Sequence, residues 1–173
     1  VDGIETAKSE INAENAAGAH LAWAGIGQYT DLANPLNFMA YVGAIANDGV
    51  MVYPKIIKDN NFISYIKHYL VRNEKRVLSY DTAVKLKGMM RNNVRTVYGE
   101  NKYEGLELAA KSGTAEVGEG KTPHSWFVGF MDREDCPLAF VVVIENGGIG
   151  SRAAGSVAGK VLRSAMEAMK LEQ

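Results

Sequence analysis

The residues best suited to chemistry in this sequence are Lys111-Ser112-Gly113-Thr114, which set an ammonium, two hydroxyls and a glycine in one row. Leu106 to Ala110 precede them as a mostly apolar run, and Ala115-Glu116 follow. On a β-strand successive side chains alternate faces, so Ser112 and Thr114 point the same way and Lys111 lies beside them. A cation and two hydroxyls converging on one spot suit a carboxylate, and Gly113 lets a ligand approach the backbone. Taken alone, the four residues fit a solvent-facing edge strand better than a binding site.

The elements that must position this row can be read from pattern. Asn34 as N-cap and Pro35 at the first helical position start a helix with apolar Leu36, Met39, Val42, Ile45 and Ala46. Asn47-Asp48-Gly49 ends it, with Gly49 free to take a left-handed cap. Val50 to Pro54 reads as a short strand at an edge or strand end. Residues 55–78 carry no clear period. Ser79 opens a second helix with Asp81 in its first turn and Ala83, Leu86, Met89, Met90 and Val94 along one side.

Strands are expected at about 106–116, 125–131 and 138–146, joined by turns and so antiparallel. Leu138 to Ile144 is apolar on both faces, which predicts an inner strand of a covered sheet. A last helix over about 152–169 should bury Val157, Val161, Leu162, Ala165, Met166 and Met169. The methionines are expected as core filler. The fold class is α+β, an antiparallel sheet with helices packed on its faces.

Bulk properties exclude several functions. The chain has 173 residues, 47% hydrophobic and 23% charged, the composition of an ordered domain with a core. A formal net charge of -1 gives no basic footprint for nucleic acid. One cysteine, Cys136, rules out an internal disulfide framework. No apolar run approaches the roughly 20 residues that span a bilayer. The opening on Val1 rather than methionine fits a piece of a longer protein or a chosen boundary.

Taken in order, these pieces resemble the C-terminal half of a penicillin-binding D,D-transpeptidase domain. The landmarks are Ile26-Gly27-Gln28 before Asn34-Pro35-Leu36, then Ala44-Ile45-Ala46-Asn47-Asp48-Gly49 with Pro54, and Val77-Leu78-Ser79. Lys111 to Glu116, Ser125-Trp126-Phe127-Val128-Gly129-Phe130, Glu145-Asn146-Gly147-Gly148 and the Ala-rich closing helix complete the set. Two departures are Tyr29, where the family usually has glycine, and the lack of a proline after Asn146.

The resemblance implies a partial β-lactamase/transpeptidase-like fold over residues 1–173 and an acyl-serine mechanism on the D-alanyl-D-alanine peptide of a cell-wall precursor. β-Lactams would trap the same serine. Lys111 would supply positive potential, Ser112 and Thr114 would hold the terminal carboxylate, with Gly113 in the same substrate-binding row, and the Thr114 N–H would be one oxyanion donor. Losing such a donor costs on the order of 100- to 1000-fold in rate. No cofactor or metal is implied. The partners implied are a peptidoglycan stem peptide or a β-lactam in the intact protein, and the upstream half of the domain. The parent would be anchored in the plasma membrane with this domain outside the cytoplasm.

The family's nucleophile, in Ser-x-x-Lys, and its Ser-x-Asn loop have no counterpart in the expected order. The only Ser-x-x-Lys, Ser64-Tyr65-Ile66-Lys67, follows the Asn47 to Pro54 landmark and lies in a polar stretch where a lysine stays protonated. It reads as a surface segment. The chain should therefore carry the carboxylate and oxyanion strand without the attacking hydroxyl, and by itself should not acylate. Rival readings are a fragment of a β-lactamase or β-lactam sensor, and a non-catalytic module.

Other candidates read as structural. His124 is expected in a turn, Trp126 and Phe127 packed in the sheet, Glu116 solvated at a strand end, and Cys136 inert for want of a basic neighbour. Arg152, before the last helix, is a minor candidate for contacting an anion.

Overall fold

The computed structural model describes residues 5–11, 18–28, 30–54 and 74–171. Its elements in chain order are α1 (Ala19–Ala24), α2 (Pro35–Ala46), β1 (Val50–Val52), β2 (Glu74–Arg76) and α3 (Tyr80–Asn93). A π-helical turn (Val94–Gly99) and a 3-10 turn (Glu100–Tyr103) lead to β3 (Leu108–Ala115), β4 (His124–Met131), β5 (Ala139–Ile144) and α4 (Ala153–Leu171). The fold is α+β.

Local chemistry fixes the helix starts. The Asn34 side chain accepts from the Asn37 N–H (3.2 Å) with Pro35 at the first helical position, and the Ser79 hydroxyl accepts from the Thr82 N–H (3.1 Å). After α2 the chain reverses through Gly49, whose φ of 90° is open to glycine and whose Cα sits so close to Leu78 O that a Cβ would lie 2.3 Å from it. That contact lets β1 pair antiparallel with β2, Val50 opposite Arg76.

The main sheet has order β3-β4-β5, all antiparallel, with Ser112 opposite Phe127, Gly113 opposite Trp126 and Thr114 opposite Ser125. Helices cover both faces. On one face Ala109, Val128 and Phe130 pack with Val42 and Ile45 of α2 and Met90 of α3. On the other, Leu108, Ala110, Phe127, Met131 and Phe140 pack with Tyr98, Tyr103 and the α4 residues Ala154, Ala158 and Leu162. Phe127 and Phe130, pointing to opposite faces, are fully buried and each contributes about 1.5–3 kcal/mol of transfer free energy.

Three expectations need correction. Among the described residues β5 is an outer strand and β4 the central one. Apolar side chains on both faces of β5 report helices above and below, not lateral neighbours. In α4, Val157 (40%) and Val161 (57%) are exposed, while Ala154 and Ala158 line the core with Leu162. The stripe is rotated because small residues let the helix sit close over Tyr103: a Cβ on Gly155 would lie 2.7 Å from the Tyr103 hydroxyl. Met89 is 63% exposed, whereas its neighbour Met90 is core, and Met166 and Met169 pack against the core on the α4 side.

Candidate functional site

β3 changes character along its length. Leu108, Ala109 and Ala110 are fully buried, whereas Lys111 and Thr114 are exposed and Ser112 and Gly113 half-buried. Pleating puts Ser112 and Thr114 on the face of α4 and Lys111 on the face of α2. The Lys111 ammonium folds over the strand margin and donates to its neighbour's carbonyl, Ser112 O, at 2.6 Å.

One side of β3 is taken by β4, and the other side is an edge toward which the backbone groups of alternate, even-numbered residues point. Side chains meet those groups one by one. Arg91 donates to Leu108 O (3.2 Å) and the Asn93 amide to Ala110 O (3.5 Å). The Ser112 N–H donates to the Tyr98 hydroxyl (2.9 Å), which in turn donates to Ser112 Oγ (3.1 Å). Gln28, far away in sequence, donates through Nε2 to Thr114 O (2.8 Å) and accepts from the Glu116 N–H at Oε1 (3.3 Å). One side-chain amide thus stands where a neighbouring strand's peptide group would bond. The Thr114 N–H faces the same edge, and no described residue accepts from it.

The face of β3 turned to α4 is closed by the loop before that helix. Gly150 lies flat on the Gly113–Trp126 rung: a Cβ there would sit 2.3 Å from Gly113 O and 2.5 Å from Trp126 O. From this position the Gly150 N–H donates to Thr114 Oγ1 (3.4 Å). Ser125, fully buried opposite Thr114, accepts from the Ala154 N–H (3.0 Å) at the start of α4 and bonds Ile149 O (3.2 Å). The rung next to the row is therefore bolted to the last helix.

Support also comes from below. Arg91 and Glu100 form a two-pronged ion pair at 2.7 and 2.5 Å. That hydrogen bond holds the Glu100 carboxyl below its ordinary pKa and raises that of Arg91, against burial, which works the other way on both. The pair staples α3 to the turns that carry Tyr98 and Tyr103. Burial among the aromatics pushes the Tyr103 phenol up.

The remaining sequence candidates have plain surroundings. His124 opens β4 and its Nδ1 accepts from the Asn146 N–H (3.0 Å). Trp126 meets Phe38 edge-on at 6.3 Å, and Phe127 packs against Tyr98, Tyr103 and Phe140. Cys136 is buried with its sulfur 3.4 Å from that of Met169. Glu116 and Arg152 are exposed. Ser64, Lys67 and Tyr29 lie outside the described residues. Among the described residues no group of three or more His, Cys, Asp or Glu could hold a metal ion, and no helix is long and apolar enough to cross a membrane.

Sequence reasoning did not single out Tyr98 as part of the site, and it treated Gln28 only as a landmark. Neither carries a local signal, since each acts on residues far along the chain.

The sequence matches the family described as penicillin binding protein transpeptidase domain over residues 2–167. The chain belongs to that family. It is 28% identical over 142 residues to the peptidoglycan D,D-transpeptidase PbpA of Mycolicibacterium smegmatis, covering 79% of this chain and 29% of the relative. It is 27% identical over 156 residues to PbpA of Mycobacterium tuberculosis, covering 87% of this chain and 32% of the relative. Penicillin-binding protein A of M. tuberculosis, solved as a ceftriaxone acyl-enzyme complex, superposes with a TM-score of 0.76 at 24% identity, over 94% of this chain and 38% of that one. The PBP2 of Helicobacter pylori, solved with MreC, gives a TM-score of 0.67 at 26% identity, over 84% of this chain and 26% of that one. The family's fold therefore holds for this chain, which spans about a third of the length of the PbpA relatives.

Proposed function

We propose that residues 1–173 form the C-terminal portion of a penicillin-binding transpeptidase domain and supply the carboxylate-binding and oxyanion strand of a peptidoglycan D,D-transpeptidase. The observation that carries this reading is the Thr114 N–H, aimed along the edge of β3 beside Lys111 and Ser112 without an acceptor among the described residues. In this reading a serine from the remainder of the protein attacks the carbonyl of the penultimate D-alanine of a stem peptide. The new ester bond forms as the C–N bond breaks, and the serine proton ends on the departing D-alanine amine. The Thr114 N–H and the nucleophile's own N–H hold the oxyanion; the acyl group then passes to an amine of a second stem peptide, a C–N bond forming as the ester C–O bond breaks and the amine's proton returns to the serine.

Lys111 draws the terminal carboxylate electrostatically, Ser112 and Thr114 donate to it, and Gly113 keeps the approach open. A β-lactam, which presents the same carboxylate beside a strained amide, acylates the same serine. The upstream half of the domain is the obligate partner. The parent protein is anchored in the plasma membrane with this domain outside the cytoplasm.

Labelling with a fluorescent penicillin tests this. The chain alone should keep its mass unchanged. The intact protein should be labelled on a serine outside residues 1–173, and Lys111→Ala should weaken that labelling. A stable adduct on Ser64 of the isolated chain would overturn the assignment.

A further inference from the structure

We infer that Tyr98 is a positioning residue that sets the hydrogen-bond polarity of Ser112, so that this hydroxyl meets its ligand as a donor and selects for a carboxylate. The inference rests on the reading of Ser112 given above and adds a residue and a mechanism to it.

A serine hydroxyl has one hydrogen to give and two lone pairs to receive with, so an isolated Ser112 would accept from a neutral ligand as readily as donate to an anion. Tyr98 removes that freedom. Its oxygen accepts the Ser112 N–H at 2.9 Å, and its single proton goes to Ser112 Oγ at 3.1 Å. With Oγ already receiving, the Ser112 hydrogen is directed away from Tyr98. A chain of hydroxyls ending on an anion is polarised along its length, which strengthens its last bond. A ligand lacking the negative charge gains little from the same arrangement.

The fold holds the phenol rigidly enough for this. Tyr98 is only 6% exposed and its ring meets Phe127 edge-to-face at 5.3 Å. It sits in the π-helical turn after α3, a widened turn of the kind enriched at functional sites. The opposite hydroxyl follows the same rule: Thr114 Oγ1 accepts from the Gly150 N–H at 3.4 Å.

The test uses the intact protein with benzylpenicillin and its methyl ester, which differ only in the anionic group. Tyr98→Phe keeps the ring against Phe127 and removes the oxygen. We expect it to slow acylation by the acid about fivefold, the usual net worth of one hydrogen bond between uncharged groups, while the ester changes less than about twofold. In a Ser112→Ala background the same change should move the acid-over-ester preference less than about twofold. Replacing Tyr98 with 3-fluorotyrosine, a stronger donor of nearly the same shape, should raise the preference by up to about twofold. A preference unchanged by either substitution, or equal losses for acid and ester, overturns the role of Tyr98. If the unmodified protein shows no preference for the acid at all, the carboxylate-binding assignment of Ser112 fails instead.

Discussion

From Leu108 to Ala110, β3 is wedged between two layers of helix, but from Lys111 to Ala115 the same strand is held by individual polar contacts. The buried end is held mainly by shape, three residues with no exposure filled against Met131, Phe130 and the helices beyond, with Arg91 and Asn93 meeting its edge carbonyls. The outer end has little apolar cover and relies on Tyr98, Gln28 and the Gly150 N–H. Under the proposed function, the difference teaches that stability and reactivity are kept apart along one strand. Substitutions at the two ends should separate into those that unfold the protein and those that silence it.

The sharpest blow to the buried end is Leu108→Ala, which should cost about 2–5 kcal/mol as lost transfer free energy plus a cavity; urea unfolding of the intact protein measures it. At the outer end, Thr114→Pro should reduce penicillin acylation by about 100- to 1000-fold, or about 2.7–4 kcal/mol of barrier. Because the Thr114 N–H points away from β4, proline removes no ladder bond, and the melting curve should move far less than for Leu108→Ala. A fall in both together would erase the distinction between the ends.

Gln28→Ala should cost about 1 kcal/mol and speed hydrogen exchange at the Glu116 amide, which loses its acceptor, without affecting the amides of 108–110. The smallest effect is expected at Glu100→Gln, below about 1 kcal/mol because the carboxylate is 45% exposed. Its sign follows from the lowered Glu100 pKa. The Arg91 pair contributes above the ordinary carboxylate range and is lost as pH falls through the depressed value. The difference in melting temperature between Glu100→Gln and the unmodified protein should therefore close on acidification.

These predictions draw unevenly on what the sequence discloses. The Asn34-Pro35 and Ser79 starts, the three strands and the row at Lys111 to Thr114 are local patterns, and each stands within a residue or two of its expected place. The misjudged features depend on what lies across the fold. Hydropathy favours Val157 and Val161 over Ala154 and Ala158, but closeness to Tyr103 rewards the smaller side chains. A strand apolar on both faces looks the same whether it is central or lateral, and among the described residues β5 is lateral. The support of the row was illegible for the same reason: Gln28 reaches Thr114 across 86 positions, and Tyr98 reaches Ser112 from a turn with no periodicity to mark it.

Gly150 carries a consequence for motion. With no methyl between the loop and the Gly113–Trp126 rung, the two stretches of main chain touch directly, and such a joint has no soft layer to absorb displacement. A displacement of the loop before the last helix would therefore pass to the Gly113–Trp126 rung with no compliant side chain between them.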